Sequence, residues 1–251
     1  MEQCSIIAIS NNRNQYDLFV ESLKTQKNIE YQLITIENYN NEYIGARQAF
    51  NENISAAKYD TIIFCHPDIS FLNEYALEKI VKAVSQLKNL GVAGSAGCKN
   101  GRRWEILSTM YHGKDKEHCG TSIKEATVVQ CVDECFFIMK KSLVNSLKFT
   151  ELNGWHLYAV EQCVRANLMN KQNYVIPVDM WHFSDGKSLD PQYLKTLLKL
   201  KEKYLVNEGI LNTTVKQWDL KSFRGYLYIQ YYYYKQLIKK VMKRLKILKV
   251  G

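Results

Sequence analysis

The chain has 251 residues, of which 46% are hydrophobic and 24% charged, so it can build a full core. Three prolines and twelve glycines argue against a low-complexity or disordered chain. The formal net charge of +9 is concentrated in the tail, because residues 222–251 carry eight Lys or Arg and no acidic residue.

Targeting and redox features are few. We expect no signal peptide, since the first ten residues lack a basic start and a long apolar run. No stretch reaches the roughly 20 apolar residues of a membrane span. Seven cysteines are scattered without a Cys-x-x-Cys pair, which argues against structural zinc and favours reduced thiols in a cytosolic protein.

The first hundred residues alternate between strand and helix patterns. Strands are predicted at 4–10, 31–36, 61–65 and 91–97, and helices at 16–24, 46–57 and 74–87. This order predicts an α/β fold with a mainly parallel, Rossmann-like sheet flanked by helices.

The second half is less regular. We predict a long loop at 100–125, a strand at 127–139 interrupted by Asp133-Glu134, a helix at 155–169 and a strand at 174–178. The chain is helical from Asp190 onward. We therefore expect a domain at 1–186 followed by a helical extension at 187–251.

Polar residues follow the first three predicted strands. The strand ends read Ser10-Asn11-Asn12, Glu37-Asn38 and His66-Pro67-Asp68. Carboxyl ends of parallel strands share one edge of a sheet, where ligands of such folds bind. Burying an unpaired carboxylate costs several kcal/mol, so we expect Asp68 to face a ligand crevice rather than the core.

His66 and Asp68, with His182 just after a later strand, could hold one divalent ion. Carboxylate and imidazole ligands suit Mn²⁺ or Mg²⁺ if phosphates complete the coordination. Equally, His66 could pack beside Pro67 while His182 merely closes a strand. The spacing alone leaves both readings open.

Other candidates have structural alternatives. Arg47 could contact phosphate or ribose oxygens through its forked donor, or lie on a solvated helix surface. Asp133, Glu134 or Glu161 could act as general base. Alternatively, the first two could face water at a strand edge, and Glu161 could pair with Arg165.

Four segments in order carry a resemblance: "IGARQAFNENISAAKYDTIIFCHPDIS", "VDECFFIMKKSL", "GWHLYAVEQCVRA" and "YVIPVDMWHFSDG". Over residues 4–186 the chain resembles bacterial GT-A-type glycosyltransferases. The particular resemblance is to the family 2-like branch whose metal motif reads His-x-Asp. It implies a GT-A fold, a nucleotide-sugar donor and a divalent ion.

The resemblance also implies roles for individual residues. Asp68 takes the metal-diphosphate position beside His66, and His182 completes the metal site. The remaining roles are base and ribose binding for Ser10, Asn11 and Glu37, nucleotide contact for Arg47, acceptor binding for Trp155 and His156, and catalysis for Glu161. Relatives often carry a further acid where this chain has Ala159, so Asp133 remains an alternative base.

The tail predicts a tyrosine-rich basic amphipathic helix. Its apolar face comprises Leu237, Ile238, Val241, Met242 and Leu245, and its basic face Lys239, Lys240, Lys243 and Arg244. Such a helix suits an anionic membrane surface. It could instead pack on the catalytic domain or on a second copy of the chain as a homodimer. No nucleic-acid motif accompanies these charges, so we expect no nucleic-acid partner.

The resemblance thus implies an inverting hexosyltransferase that uses a UDP-sugar. The expected acceptor is a glycan, a lipid-linked molecule or a protein-linked one at the cytoplasmic membrane face. Two alternatives stay open: a metal-dependent nucleotide-sugar or phosphoester hydrolase, and an inactive glycosyltransferase-like binding protein.

Overall fold

The computed structural model describes residues 1–184, 189–205 and 209–245. The helices are α1 (Arg13–Lys24), α2 (Ala46–Asn53), α3 (Ala76–Ser85), α4 (Lys141–Leu147), α5 (Tyr158–Leu168), α6 (Pro191–Tyr204) and α7 (Phe223–Arg244). The predicted domain boundary at 186 and the chain beyond Leu245 lie outside the described residues.

The strands, again in chain order, are mostly short. They are β1 (Glu2–Ser10), β2 (Ile29–Glu37), β3 (Thr61–Cys65), β4 (Ile69–Phe71), β5 (Leu90–Gly94), β6 (Ala96–Cys98), β7 (Ile106–Ser108), β8 (Tyr111–His112), β9 (Glu117–His118), β10 (Thr127–Val129), β11 (Cys131–Val132), β12 (Phe136–Lys140), β13 (Gln172–Val175), β14 (Met180–His182), β15 (Ile210–Asn212) and β16 (Gln217–Asp219).

A seven-stranded sheet in the described part of the chain has the order β10-β13-β5-β12-β3-β1-β2. Strands β2, β1, β3, β5 and β13 run in one direction, whereas β12 and β10 run against their neighbours. The predicted α/β class with a mainly parallel sheet is therefore confirmed.

The predicted strand at 127–139 divides into β10, β11 and β12, and the predicted interruption at Asp133-Glu134 is the break between β11 and β12. At the last break the side chain of Asp133 accepts a hydrogen bond from the backbone N–H of Cys135 at 2.9 Å. This local turn competes with a continuous ladder. It sends β11 to a small sheet with β6 and leaves β12 in the central sheet.

The predicted long loop at 100–125 is also wrong in part, since it contains β7, β8 and β9. These short strands build two small sheets, β11-β6-β7 and β4-β14-β8-β9. In the second, β14 pairs antiparallel with β4, and His182 lies opposite Ile69. That register brings His182 beside the end of β3.

Apolar residues are buried on both faces of the central sheet. Along β3, Ile62 and Phe64 belong to one cluster and Ile63 and Cys65 to the other, as alternation along a strand requires. The first cluster continues into the C-terminal extension, where Tyr193, Leu197, Trp218 and Ile229 are fully buried with it. The extension therefore packs directly against the sheet. The prediction that the chain is helical from Asp190 onward is wrong in part, because β15 and β16 form a hairpin between α6 and α7.

Candidate active site

The carboxyl ends of β1, β2 and β3 open into a crevice of about 310 Å³. Its polar lining includes Asn11, Gln15, Asn38, His66, Asp68, Glu134, Trp155, His156 and Tyr158. The prediction that the strand ends share one rim therefore agrees with the geometry.

A second, inner chamber of about 250 Å³ lies next to the crevice. His66 and Glu134 line both spaces. The inner chamber is completed by residues from distant parts of the chain, among them His112, Cys119, Asp133, His182, Tyr193 and Thr214. Tyr193 and Thr214 belong to the extension, so the extension forms part of the site.

His66, Asp68 and His182 meet where the two spaces join. One potential ligand atom from each residue lies within 4.8 Å of the others. Asp68 Oδ1 is 3.3 Å from His182 Nε2 and 3.9 Å from His66 Nδ1. Burial raises the pKa of Asp68, but the two histidines outweigh it and leave that pKa below its usual value.

Within the described ranges, three buried atoms of this cluster make no hydrogen bond: Asp68 Oδ1, His182 Nδ1 and His182 Nε2. Buried polar atoms are normally satisfied, so such orphans require an explanation. A divalent cation bound by the carboxylate and imidazole would satisfy Asp68 Oδ1 and one His182 nitrogen. The two imidazoles and the carboxylate therefore fit a divalent cation.

Arg47 and Glu161 form a buried ion pair. Their side chains are 1% and 0% exposed, and Arg47 Nε donates to Glu161 Oε2 at 2.6 Å. Arg47 Nη1 also donates to the carbonyl of His156 at 3.1 Å. Neither residue lines the crevice or the inner chamber. This arrangement favours a structural role for both, in place of the predicted nucleotide contact and general base.

Close backbone contact explains this pairing. Gly45, which precedes α2, bridges to Gly154 ahead of α5. A Cβ on Gly45 would lie 2.5 Å from the backbone nitrogen of Gly154, so only glycine fits. The contact brings the first turns of α2 and α5 together and faces Arg47 toward Glu161.

Asp133 lines the inner chamber, but both of its oxygens accept hydrogen bonds. Oδ1 accepts from Cys135 N, and Oδ2 accepts from Thr214 Oγ1. Burial raises the pKa of Asp133, yet these hydrogen bonds outweigh it and lower the pKa overall. Asp133 is thus an ionised carboxylate held firmly in place.

Glu134 is held by one hydrogen bond, from the backbone N–H of Tyr158 to Oε1 at 2.7 Å. Burial raises the pKa of Glu134 to about 7. The neighbouring Tyr158 Oη lies 2.8 Å from His66 Nε2. Tyr158 thus links the candidate metal cluster with Glu134.

The three residues predicted to bind the base and the ribose differ in where they lie relative to the crevice. Asn11 lines the crevice. Ser10 is buried, with its Oγ 3.0 Å from Tyr39 Oη. Glu37 is exposed, and its nearest described cation is Arg13 at 4.0 Å.

Trp155 and His156 line the crevice and do not line the inner chamber. The Trp155 side chain is 39% exposed, so its ring is available to a ligand at the outer mouth. His156 Nε2 lies 3.4 Å from Asp190 Oδ1, which also caps α6 by accepting from Tyr193 N. His156 therefore ties the crevice to the extension.

Sequence reasoning did not identify His112, Thr214 or the role of Tyr158 at the site. The His112 ring centroid lies 5.4 Å from that of His182, because β8 pairs beside β14. His112 comes from the segment predicted as a loop and Thr214 from the extension. Pairing of β8 with β14 brings His112 here, and Thr214 reaches Asp133 from the turn between β15 and β16; no local motif signals either contact.

The family model described as "Glycosyltransferase like family" matches residues 5–202. A curated relative, "ATP synthase subunits region ORF 6" of Fuscovulum blasticum, is 21% identical over 217 residues, which is 80% of this chain and 82% of that protein.

Two solved structures share the fold at low identity. Staphylococcus aureus TarS 1-349 in complex with UDP-GlcNAc has a TM-score of 0.57 at 14% identity, covering 82% of this chain and 67% of that one. GalNAc-T7 with UDP, GalNAc and Mn²⁺ has a TM-score of 0.51 at 11% identity. That match covers 80% of this chain and spans only 48% of GalNAc-T7. By its family match and its architecture, this chain belongs to the Glycosyltransferase like family and has the GT-A fold.

Proposed function

We propose that this protein transfers a sugar from a nucleotide-sugar donor, expected to be a UDP-sugar, to an acceptor hydroxyl. The observation that supports this most strongly is the cluster at the junction of the crevice and the inner chamber. There, buried side-chain atoms of Asp68 and His182 make no hydrogen bond to any other described group. Similar folds holding UDP-GlcNAc, or UDP with GalNAc and Mn²⁺, support a donor of this class.

The crevice provides the donor's nucleoside site in this proposal. Asn11, Gln15 and Asn38 offer amide donors and acceptors at the strand ends, which suits a base and a ribose. The diphosphate would then lie against Asp68, and the sugar would point into the inner chamber toward Asp133. The fixed Asp133 carboxylate would orient the sugar by accepting hydrogen bonds from its hydroxyls.

His66, Asp68 and His182 are the residues that would hold Mn²⁺ or Mg²⁺. When bound, such an ion offsets the negative charge that develops on the departing diphosphate. Tyr158 would keep His66 in place through the contact between its hydroxyl and Nε2. The acceptor would approach past Trp155 and His156, with the exposed Trp155 ring as an apolar platform for a sugar.

Helix α7 supports a membrane-surface role. Its first half packs on the fold through the buried Ile229 and through Tyr232, which contacts Trp218. Beyond that, Ile238 and Val241 are 59% and 53% exposed beside lysines. No helix within the described ranges is both long and apolar enough to cross a bilayer. We propose that α7 lies on an anionic membrane surface at the cytoplasmic face and presents the site to a lipid-linked acceptor.

A thermal-shift screen of UDP- and GDP-sugars with and without Mn²⁺ tests the donor assignment. A ligand that binds only the folded state adds about 2.7 kcal/mol at a hundred times its dissociation constant. We expect one nucleotide sugar to raise the melting temperature only when Mn²⁺ is present. Product analysis then separates the activities, because release of free sugar at the same rate with every acceptor would indicate a hydrolase.

A further inference from the structure

We infer that Glu134 is the general base that removes the proton from the attacking hydroxyl. This inference rests on the proposed function. It moves the base from helix α5, where the sequence resemblance places it, to the turn between β11 and β12.

The other described carboxylates of the site each have a role or a partner already. Asp68 belongs to the candidate metal cluster. Both oxygens of Asp133 accept hydrogen bonds from the protein, which hold its pKa below the usual value and make it a poor proton acceptor. Glu161 is fully buried against Arg47 and cannot reach a substrate without breaking that pair.

Apart from the buried Glu161, the first turn of α5 carries no acid. Tyr158 and Val160 line the site, but Ala159 is an alanine with no exposed surface. Helix α5 does supply the backbone N–H of Tyr158, which donates a hydrogen bond to Glu134 Oε1. No described residue donates a hydrogen bond to the second oxygen, Oε2, which leaves it available for a proton.

The position of Glu134 suits the reaction. Like His66, Glu134 lines both the crevice and the inner chamber. A sugar whose diphosphate lies at Asp68 would place its anomeric carbon near this shared wall. A base there contacts an acceptor that enters from either space.

The charges around Glu134 support reversible proton uptake. Burial raises its pKa and Asp133 adds to that rise, whereas His156 and Arg47 lower it, with a net value of about 7. Tyr158 and Tyr193 also face it, and the pKa of each is raised mainly by burial. A base poised near neutral pH transfers protons efficiently at that pH.

The proposed step balances as follows. The acceptor oxygen forms a bond to the anomeric carbon while its proton passes to Glu134. The bond from the anomeric carbon to the diphosphate oxygen breaks, and its electron pair leaves with the nucleoside diphosphate. Attack from the side opposite the leaving group inverts the anomeric centre.

Rescue by azide distinguishes a general base from a residue that only supports the structure of the site. Azide has no proton to lose, so it needs no base when it attacks the anomeric carbon. The assay uses the full chain, Mn²⁺ and the UDP- or GDP-sugar that stabilises it, first with water and then with sodium azide as acceptor. The variants are Glu134→Ala and the near-isosteric Glu134→Gln, with exposed Glu151→Gln as matched control.

We expect both Glu134 variants to lose roughly 10²- to 10⁴-fold in turnover with water while still binding UDP. Azide should restore consumption of the donor by Glu134→Ala and yield a glycosyl azide. It should not restore Asp68→Asn, whose defect is in binding.

Two results would overturn the assignment of Glu134 as base and leave the proposed function standing. One is a Glu134→Gln turnover within threefold of the wild type, and the other is a folded Glu134→Ala whose donor consumption azide does not restore. If the wild type shows no Mn²⁺-dependent binding of any UDP- or GDP-sugar, the proposed function fails, and this assignment fails with it.

Discussion

Asp68 Oδ1 and His182 Nε2 lie 3.3 Å apart, within ion-pair distance, and both atoms are buried with no hydrogen bond from any other described group. The antiparallel pairing of β14 with β4 creates this contact. A fold that keeps two such atoms unsatisfied loses stability unless a ligand completes them. The relationship is therefore the main structural argument for a cation at this point.

The first prediction concerns His182. We expect His182→Ala to weaken Mn²⁺ binding by at least roughly tenfold, since even indirect partners of metal ligands are worth 10- to 100-fold. Calorimetric titration with Mn²⁺ in the presence of UDP measures this. His118→Ala is the control, because that histidine bonds to Ser108 and Ser122 instead of joining the cluster. Equal affinities for the wild type and His182→Ala would exclude His182 as a ligand.

The second prediction concerns the Arg47–Glu161 pair. Removing one partner of a buried ion pair leaves an uncompensated charge and costs about 3–5 kcal/mol. We expect that loss in the unfolding free energy of Glu161→Ala, measured by urea denaturation. The double variant Arg47→Met/Glu161→Leu should be more stable than Glu161→Ala. A Glu161→Ala protein of normal stability but without turnover would instead support the catalytic role that the resemblance implies.

The sequence predicted that the ends of β1, β2 and β3 meet, because carboxyl ends of parallel strands share one edge. The resemblance placed His182 with His66 and Asp68, and the pairing of β14 with β4 brings it there. The sequence could not predict that Arg47 and Glu161 pair, since they lie 114 residues apart and meet only through the contact of Gly45 with Gly154. The contribution of Thr214 was equally hidden. It depends on how the extension folds back, which local periodicity does not encode.

The third prediction links Glu134 to pH. Its pKa is about 7 in the folded protein against 4.5 in the unfolded chain, so ionisation favours unfolding as the pH rises through this window. Glu134→Gln should therefore be more stable than the wild type at pH 8, by up to about 3 kcal/mol, with little difference near pH 4.5. Urea denaturation in EDTA at both pH values measures this. A difference that does not change with pH would contradict the shifted pKa.

The fourth prediction concerns α7. We expect the full chain to float with vesicles that contain phosphatidylglycerol and not with pure phosphatidylcholine. Each lysine near such a surface contributes about 1 kcal/mol, so Lys239→Gln/Lys240→Gln should weaken binding strongly. Ile238→Ser/Val241→Ser should abolish it, whereas Leu168→Ser, at an exposed leucine elsewhere, should not.

Sedimentation distinguishes the competing role of the same face. If the chain forms a dimer that Ile238→Ser/Val241→Ser dissociates, and vesicles of either composition are not bound, α7 is a self-association surface. That result would replace the membrane proposal.

The most direct test of the central claim is calorimetric binding of UDP to the wild type and to Asp68→Asn, with and without Mn²⁺. We predict binding by the wild type that requires Mn²⁺, and its loss in Asp68→Asn but not in Asp17→Asn, at an exposed aspartate on α1. UDP binding that is equally tight without Mn²⁺, or in Asp68→Asn, would contradict a cation bridging this cluster to a diphosphate.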